Sequence, residues 1–424
     1  MGKDFSPLTS EIKVFKQPFG AAFFMLMYLH MKKRIAVFSL AYYPSFVSGA
    51  EAAIKEITNR IDREDIEFHI ITLLFDTAAA KREEFDNVII HRVGFGGAYL
   101  SKMLFVPLAA LKARNLHKEL QFSGMWAMMT YMLFPLTIAR WLGVRVPYVF
   151  TLQDGDPYDK VFGRWFIKPV VPILDSGIKN AKVIQVISEY LGTWPKLRGY
   201  TGEVVMVRNG ANPKNFKQFY SDEELIKVKE ELGKKEGDVY LFIAARLVYQ
   251  KGIDNVIKAL KFLPEQVHFL IAGGGPDEQM LKELTTELRL EHRVRFLGPL
   301  ERDDVPKYRN TIVSDIFVHP SRSEGLGNSV LSAMAGRLPV VVTQVGGFAD
   351  FVFDEKRDQG KQPTAWAVDP DSPEQIADAV KDILNNPDKV RKITENARKL
   401  METEYHWDAV ASAMREKVFA KIIK

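Results

Sequence analysis

Short apolar runs rich in β-branched residues alternate with longer amphipathic stretches along most of the chain. The runs predict strands at Arg34–Leu40, Glu67–Leu74, Val88–Arg92, Pro147–Leu152, Val183–Ile187 and Val204–Val207, with another buried strand near Met125–Met129. A second series follows at Val239–Ala244, His268–Ala272, Val294–Leu297, Ile316–His319, Val340–Thr343 and Ala365–Val368. Between them the helical period returns, as in Ala50–Arg60, Gly252–Phe262, Glu278–Leu290 and Pro373–Asn385. Such alternation builds parallel sheets with crossover helices. Asn209–Phe219 and the charged helix Asp222–Leu232 part the two series. The expected architecture is therefore α/β, with two doubly wound, Rossmann-like domains at residues 31–215 and 216–400. Residues 401–424 are expected to be a helix crossing back to the first domain. Ligands of such sheets bind beyond the strand C-termini, here in a shared cleft.

Composition removes several classes of function. The chain has 424 residues, 47% hydrophobic and 26% charged, which is globular and long enough for about two or three domains. It has no cysteine, so disulfides, zinc-thiolate sites, iron–sulfur clusters and a cysteine nucleophile are excluded. A net charge of +5 over this length is mild, and no block of like charge predicts a nucleic-acid partner. The eight histidines show no i, i+4 pairing, and read as strand or surface residues rather than metal ligands.

Two apolar stretches raise the question of a membrane. Phe19–Leu29 is too short to span one and lacks the basic flank of a signal peptide; residues 1–30 read as an upstream extension or a peripheral anchor. Leu120–Ala139 is uncharged but interrupted by polar residues, and reads as a strand followed by a helix reaching Leu142. In Tyr99–Lys118, Lys102, Lys112, Arg114 and Lys118 accompany an apolar side with no acid. That pattern fits either an anionic membrane surface or a helix with a basic solvent face, and Pro107 breaks its wheel.

Candidate chemistry gathers after the strands of the second series. Arg246 and Lys251 flank the turn after Val239–Ala244, a planar fork and a mobile point charge able to meet on one diphosphate. Glu324-Gly325-Leu326-Gly327-Asn328 follows Ile316–His319 and opens a helix, Ser329–Arg337. The glycines let backbone N–H groups approach a ligand, and the helix start favours an anion. Gly273-Gly274-Gly275 and Gly346-Gly347 are weaker signals, since glycine turns often only close a tight loop. Asp154-Gly155-Asp156 has a metal-bridging spacing that is also frequent by chance. Neither a dinucleotide fingerprint nor a P-loop is present.

In order and spacing, these clusters resemble the family-4 glycosyltransferases, retaining enzymes of the GT-B fold, over roughly residues 33–420. The resemblance rests on Ala245-Arg246-Leu247 with Lys251-Gly252, Ala272–Pro276, Phe296-Leu297-Gly298, Pro320-Ser321 with Glu324–Gly327, Ala333-Met334-Ala335, Pro339-Val340-Val341 and Val345-Gly346-Gly347. Pro44, Ser48-Gly49-Ala50-Glu51, Ser188, Asn209-Gly210, Phe216 and Tyr405-His406-Trp407 extend it. It implies that Arg246 and Lys251 bind the donor's diphosphate and that Glu324 holds donor-sugar hydroxyls. Gly325, Leu326 and Gly327 would offer backbone N–H groups to sugar or phosphate. The base would lie by Phe296, Leu297 and Gly298, Gly274 would belong to the donor site, and Gly49 would let the first domain approach the phosphates. No metal and no cofactor are expected, two cations standing in for an ion.

The departures are local. The family's second Glu, eight residues after the first, is Ser332 here, with Asn328 one turn earlier on the same face. The His common at the end of the strand ending in Leu152 is Gln153, which hydrogen-bonds but does not titrate. The Asp that usually follows Asn-Gly is Asn212. The resemblance implies a metal-independent transferase moving a sugar from a nucleotide-sugar to a saccharide or lipid-linked acceptor. It would be cytoplasmic, with peripheral association at the inner face of the membrane open. A non-catalytic sugar-nucleotide-binding or scaffold protein is the alternative that Ser332 and Gln153 suggest.

Overall fold

The chain's structure, a computed structural model, describes residues 32–44, 48–216 and 220–423. The extension and its apolar run up to Leu29 lie outside the described residues. Eight strands form the first sheet: β1 Arg34–Phe38, β2 Glu67–Leu73, β3 Arg82–Phe85, β4 Val88–Val93, β5 Gly124–Met128, β6 Tyr148–Leu152, β7 Val183–Val186 and β8 Glu203–Met206. Their order is β3-β4-β2-β1-β5-β6-β7-β8, parallel except for β3 on β4. Six parallel strands form the second: β9 Val239–Ala244, β10 Val267–Ala272, β11 Val294–Gly298, β12 Ile316–His319, β13 Val340–Thr343 and β14 Trp366–Val368, ordered β11-β10-β9-β12-β13-β14. The central strands are buried throughout, as their unbroken apolar runs require.

The expected two-domain GT-B arrangement is present. In the first sheet the winding reverses beside β1, and in the second beside β9. These reversals leave the crevices that bind ligands. The loop after β1 leads to Gly49, and the loop after β9 carries Arg246, so both reversals open on one cleft.

Three differences have physical causes. β3 was not expected, because Arg82-Glu83-Glu84-Phe85 has no apolar run; it is an antiparallel edge strand held by its partner β4. Helix α1, Tyr99–Leu120, continues through Pro107, which lies on the exposed face, where the carbonyl it frees meets water. The C-terminal segment is broken rather than one helix. Helix α2, Pro387–Glu404, ends at Tyr405, whose carbonyl accepts from the Ala211 N–H at 2.8 Å, and helix α3, Trp407–Ala413, then packs on the helix Gly49–Thr58. Beyond it the Phe419 ring lies 5.1 Å from that of Trp126 in β5. The chain thus returns to its first sheet. Among the described residues no helix is long and apolar enough to cross a membrane.

Candidate functional site

A cavity of about 810 Å³ lies between the strand ends of the two sheets. Of the expected site residues, Gly49, Gln153, Arg246, Lys251, Glu324, Gly325, Leu326, Gly327, Asn328 and Ser332 line it. Gly274, Phe296 and Leu297 do not. Side chains within β11 point to the faces of the sheet, and only the following loop, Pro299–Arg302, reaches the wall. The triple glycine serves the neighbouring turn instead. A Cβ on Gly273 would meet the Ala245 carbonyl oxygen at 1.9 Å, and one on Gly275 the Leu247 carbonyl oxygen at 2.2 Å. Those contacts fix the turn that presents Arg246.

The second glycine pair does the same for Glu324. Cβ atoms on Gly346 and Gly347 would each come within 2.0 Å of the carbonyl oxygens of Glu324 and Gly325. Gly327 is left-handed at φ +86° and precedes the helix Asn328–Ala335, which no side chain caps. The first-turn residues Asn328 and Ser329 therefore face the cavity.

Lys251 Nζ donates to Glu324 Oε2, and Ser321 Oγ lies 3.4 Å and His319 Nε2 3.5 Å from the same oxygen. Burial works to raise the Glu324 carboxyl, but the charge of Lys251 and the neighbouring His319 outweigh it and hold it at about 2. Glu324 is therefore a carboxylate at any working pH. Burial also pushes His319 below its usual range. His319, expected to be an ordinary strand residue, thus stands beside the acid; only its place just before Pro320-Ser321 signalled this. Arg246 is exposed and forms no ion pair among the described residues.

Asp154 and Asp156 turn to different partners. Thr130 donates its N–H and hydroxyl to Asp154 Oδ2 at 3.3 and 2.9 Å, while Asp156 receives Lys160 Nζ at 2.7 Å and Gln250 Nε2 at 3.1 Å. Burial raises Asp154 to about 6 against the pull of Thr130. No group of three or more potential metal ligands gathers among the described residues.

The altered positions join the two halves across the cleft. Ser332 Oγ accepts from the Asn212 N–H at 3.1 Å and donates to the Asn328 carbonyl at 2.9 Å. Asn209 Nδ2 donates to Gln153 Oε1 at 3.3 Å and to Asn328 Oδ1 at 3.4 Å. A Cβ on Gly49 would stand 3.1 Å from Asn328 Nδ2. Short side chains here let the domains meet.

Known proteins share this architecture. Residues 226–400 match the family model described as glycosyl transferases group 1. An uncharacterized glycosyltransferase of Methanocaldococcus jannaschii is 26% identical, over 89% of this chain and 96% of its own. The alpha-monoglucosyldiacylglycerol synthase of Acholeplasma laidlawii is 25% identical, over 86% of this chain and 91% of its own. Among solved structures, Anabaena HepE in complex with UDP-glucose superposes with a TM-score of 0.74 at 20% identity, covering 91% of this chain and 99% of its own.

Proposed function

We propose that the chain, whose residues 226–400 match the group 1 glycosyl transferases, is a nucleotide-sugar-dependent glycosyltransferase whose transfer retains configuration, needs no metal ion and ends on a lipid-linked or saccharide acceptor. The observation that carries this reading is the Arg246–Lys251–Glu324 constellation at the cleft. Arg246 is free to fork onto the donor's diphosphate, and Lys251, already beside Glu324, bridges phosphate and sugar. Charge-assisted contacts of this kind contribute about 1.5–3 kcal/mol each, and more as charge develops on the leaving phosphate. Glu324, held ionised, accepts from donor-sugar hydroxyls. The acceptor hydroxyl attacks from the face the phosphate leaves, and a departing phosphate oxygen takes its proton, so no covalent carboxylate intermediate is required.

Nucleotide release from UDP-, GDP- and ADP-sugars, with chelator present and membrane extract as acceptor, tests this. Release from one donor, falling about a hundredfold in Arg246→Ala, is expected. Activity that disappears in chelator and returns with a divalent ion would overturn metal independence. An inverted anomer in the product would overturn retention.

The outer face of α1 favours a lipid acceptor. Leu100, Met103, Leu104 and Leu111 repeat along its exposed side, with Tyr99 and Phe95 before them. Lys102, Lys112, Arg114 and Lys118 flank that stripe without an acid. Apolar insertion with basic neighbours suits an anionic bilayer surface at the inner face of the membrane. The relative that makes a glucosyl diacylglycerol supports the same acceptor class. Leu104→Glu with Leu111→Glu is expected to abolish sedimentation with anionic phospholipid vesicles while leaving nucleotide binding intact. Undiminished sedimentation would remove the membrane from the proposal.

A further inference from the structure

Arg309 follows the short helix Val305–Tyr308 and lines the cavity. It is only 5% exposed. Its guanidinium packs over the Phe317 ring of β12 at 5.5 Å. Yet among the described residues no ion pair or side-chain hydrogen bond is formed by it, and its buried Nε has no partner. A buried guanidinium N–H without an acceptor is costly, and native interiors rarely keep one. Burial, with the nearby charge of Arg302, lowers Arg309 to about 9, so it is still a cation at neutral pH.

Its surroundings narrow what it awaits. Arg246, Lys251 and Glu324 lie after β9 and β12, the central strands of the sheet. Pro299–Arg302 and Val305 extend the wall past β11, at the sheet's edge. Two strand spacings, about 10 Å, separate the end of β11 from the Arg246 turn. With the diphosphate on Arg246 and the sugar by Glu324, the nucleoside half falls to this second stretch of wall. Ser332 stands there too: the carbonyls of Arg309 and Ser332 both come within 3.5 Å of a Cβ built on Gly336.

We infer that Arg309 binds the nucleoside half of the donor, its guanidinium donating to an oxygen acceptor, a base carbonyl or a ribose oxygen, that no protein group supplies. The inference rests on the donor reading above. It makes Arg309 a specificity-determining residue: with a base carbonyl as the acceptor, uracil and guanine are favoured over adenine, which has none.

Calorimetric titration of UDP, GDP, ADP and 2′-deoxy-UDP into wild type, Arg309→Met, Arg309→Lys and Arg246→Ala tests it. In Arg309→Met the preferred nucleotide should bind about 10- to 100-fold more weakly. Arg309→Lys should recover part of that loss, since it keeps charge but not the fork. The thermal midpoint of Arg309→Met should not fall, because the residue removed is an unpaired buried charge. Loss for UDP or GDP with ADP unchanged assigns the base carbonyl. Equal loss for UDP, GDP and ADP, with 2′-deoxy-UDP already weak on wild type, assigns the ribose. Unchanged affinities in Arg309→Met, while Arg246→Ala still abolishes binding, would overturn the role of Arg309 and leave the transferase reading standing. No nucleotide binding by the wild-type chain would overturn both.

Discussion

Glu324 shows how one side chain serves two neighbours. Its carboxylate is held by Lys251 in the cleft to which the proposed reading brings the donor's diphosphate. Glu324→Gln should therefore separate binding from turnover. Nucleoside diphosphate affinity is expected to hold or rise as Lys251 is freed, while transfer falls about a hundredfold with the sugar hydroxyls ungripped. Calorimetry beside initial rates would show the split; parallel losses in both would speak against it. Its folded value, below the ordinary carboxylate range, means Glu324 stabilises the fold above about pH 4.5 and loses that contribution as pH falls toward 2. An earlier acid weakness lies elsewhere. His69 Nδ1 and His91 Nε2 meet at 3.0 Å, both buried. Burial lowers both, and the neighbouring His69 adds to the effect on His91, which reaches about 3. The unfolded chain takes protons at these sites below about pH 6.5, while the folded one refuses them, so stability falls as pH drops through that window. The urea midpoint should decline from about pH 6.5 to 4, and His91→Gln should flatten the slope. Arg246, Lys251 and Glu324 were legible as polar residues just after strands β9 and β12, and the fold brings all three to one cleft. Arg309 and His319 stayed hidden, because what marks them is a missing partner or a near neighbour, and packing alone decides both.

Among the elements, the loops after β9 and β12 owe their shape to adjoining glycines. Gly273 is left-handed at φ +133° and touches the Ala245 carbonyl, so Gly273→Ala combines backbone strain with a collision. A loss of more than about 2 kcal/mol and a displaced Arg246 turn are expected. Thermal melting and donor affinity should fall together; an unchanged KM would show that the brace does not govern the turn. Twelve of the fourteen strands were legible as apolar runs with small shifts at their ends, and β5 as a buried strand within a longer uncharged stretch. β3 was not, since its alternating charges pair only because β4 lies alongside. Gly274, Phe296 and Leu297 lay in recognisable motifs but do not line the cavity, whose wall begins one loop later at Pro299.

Across the whole molecule, the two sheets are joined by small polar contacts and by the C-terminal return. Arg208 pairs with Asp350 at 3.2 Å, Ser323 Oγ donates to the Gly155 carbonyl at 3.2 Å, and Arg302 donates to the Tyr43 hydroxyl at 2.5 Å. A Cβ on Gly210 would collide with the Trp407 ring at 2.8 Å, so the return passes tightly by the loop after β8. Phe419 is fully buried between Trp126 and Phe68. Phe419→Ala should cost about 3–5 kcal/mol. Loss of the near-ultraviolet signal of Trp126 at lower urea would report it, whereas an unchanged transition would mean that the tail contributes little to the first domain.

That return also fixes an order of events during synthesis. The first sheet is complete when β8 leaves the ribosome, yet Phe419 and Ile422, which close its core, follow it by some two hundred residues. The second domain can therefore mature while the first still shows an open apolar face, the reverse of the usual amino-to-carboxyl sequence. For the time needed to add some two hundred residues, at about 5–20 per second, the nascent first domain depends on chaperones or on its own partial collapse.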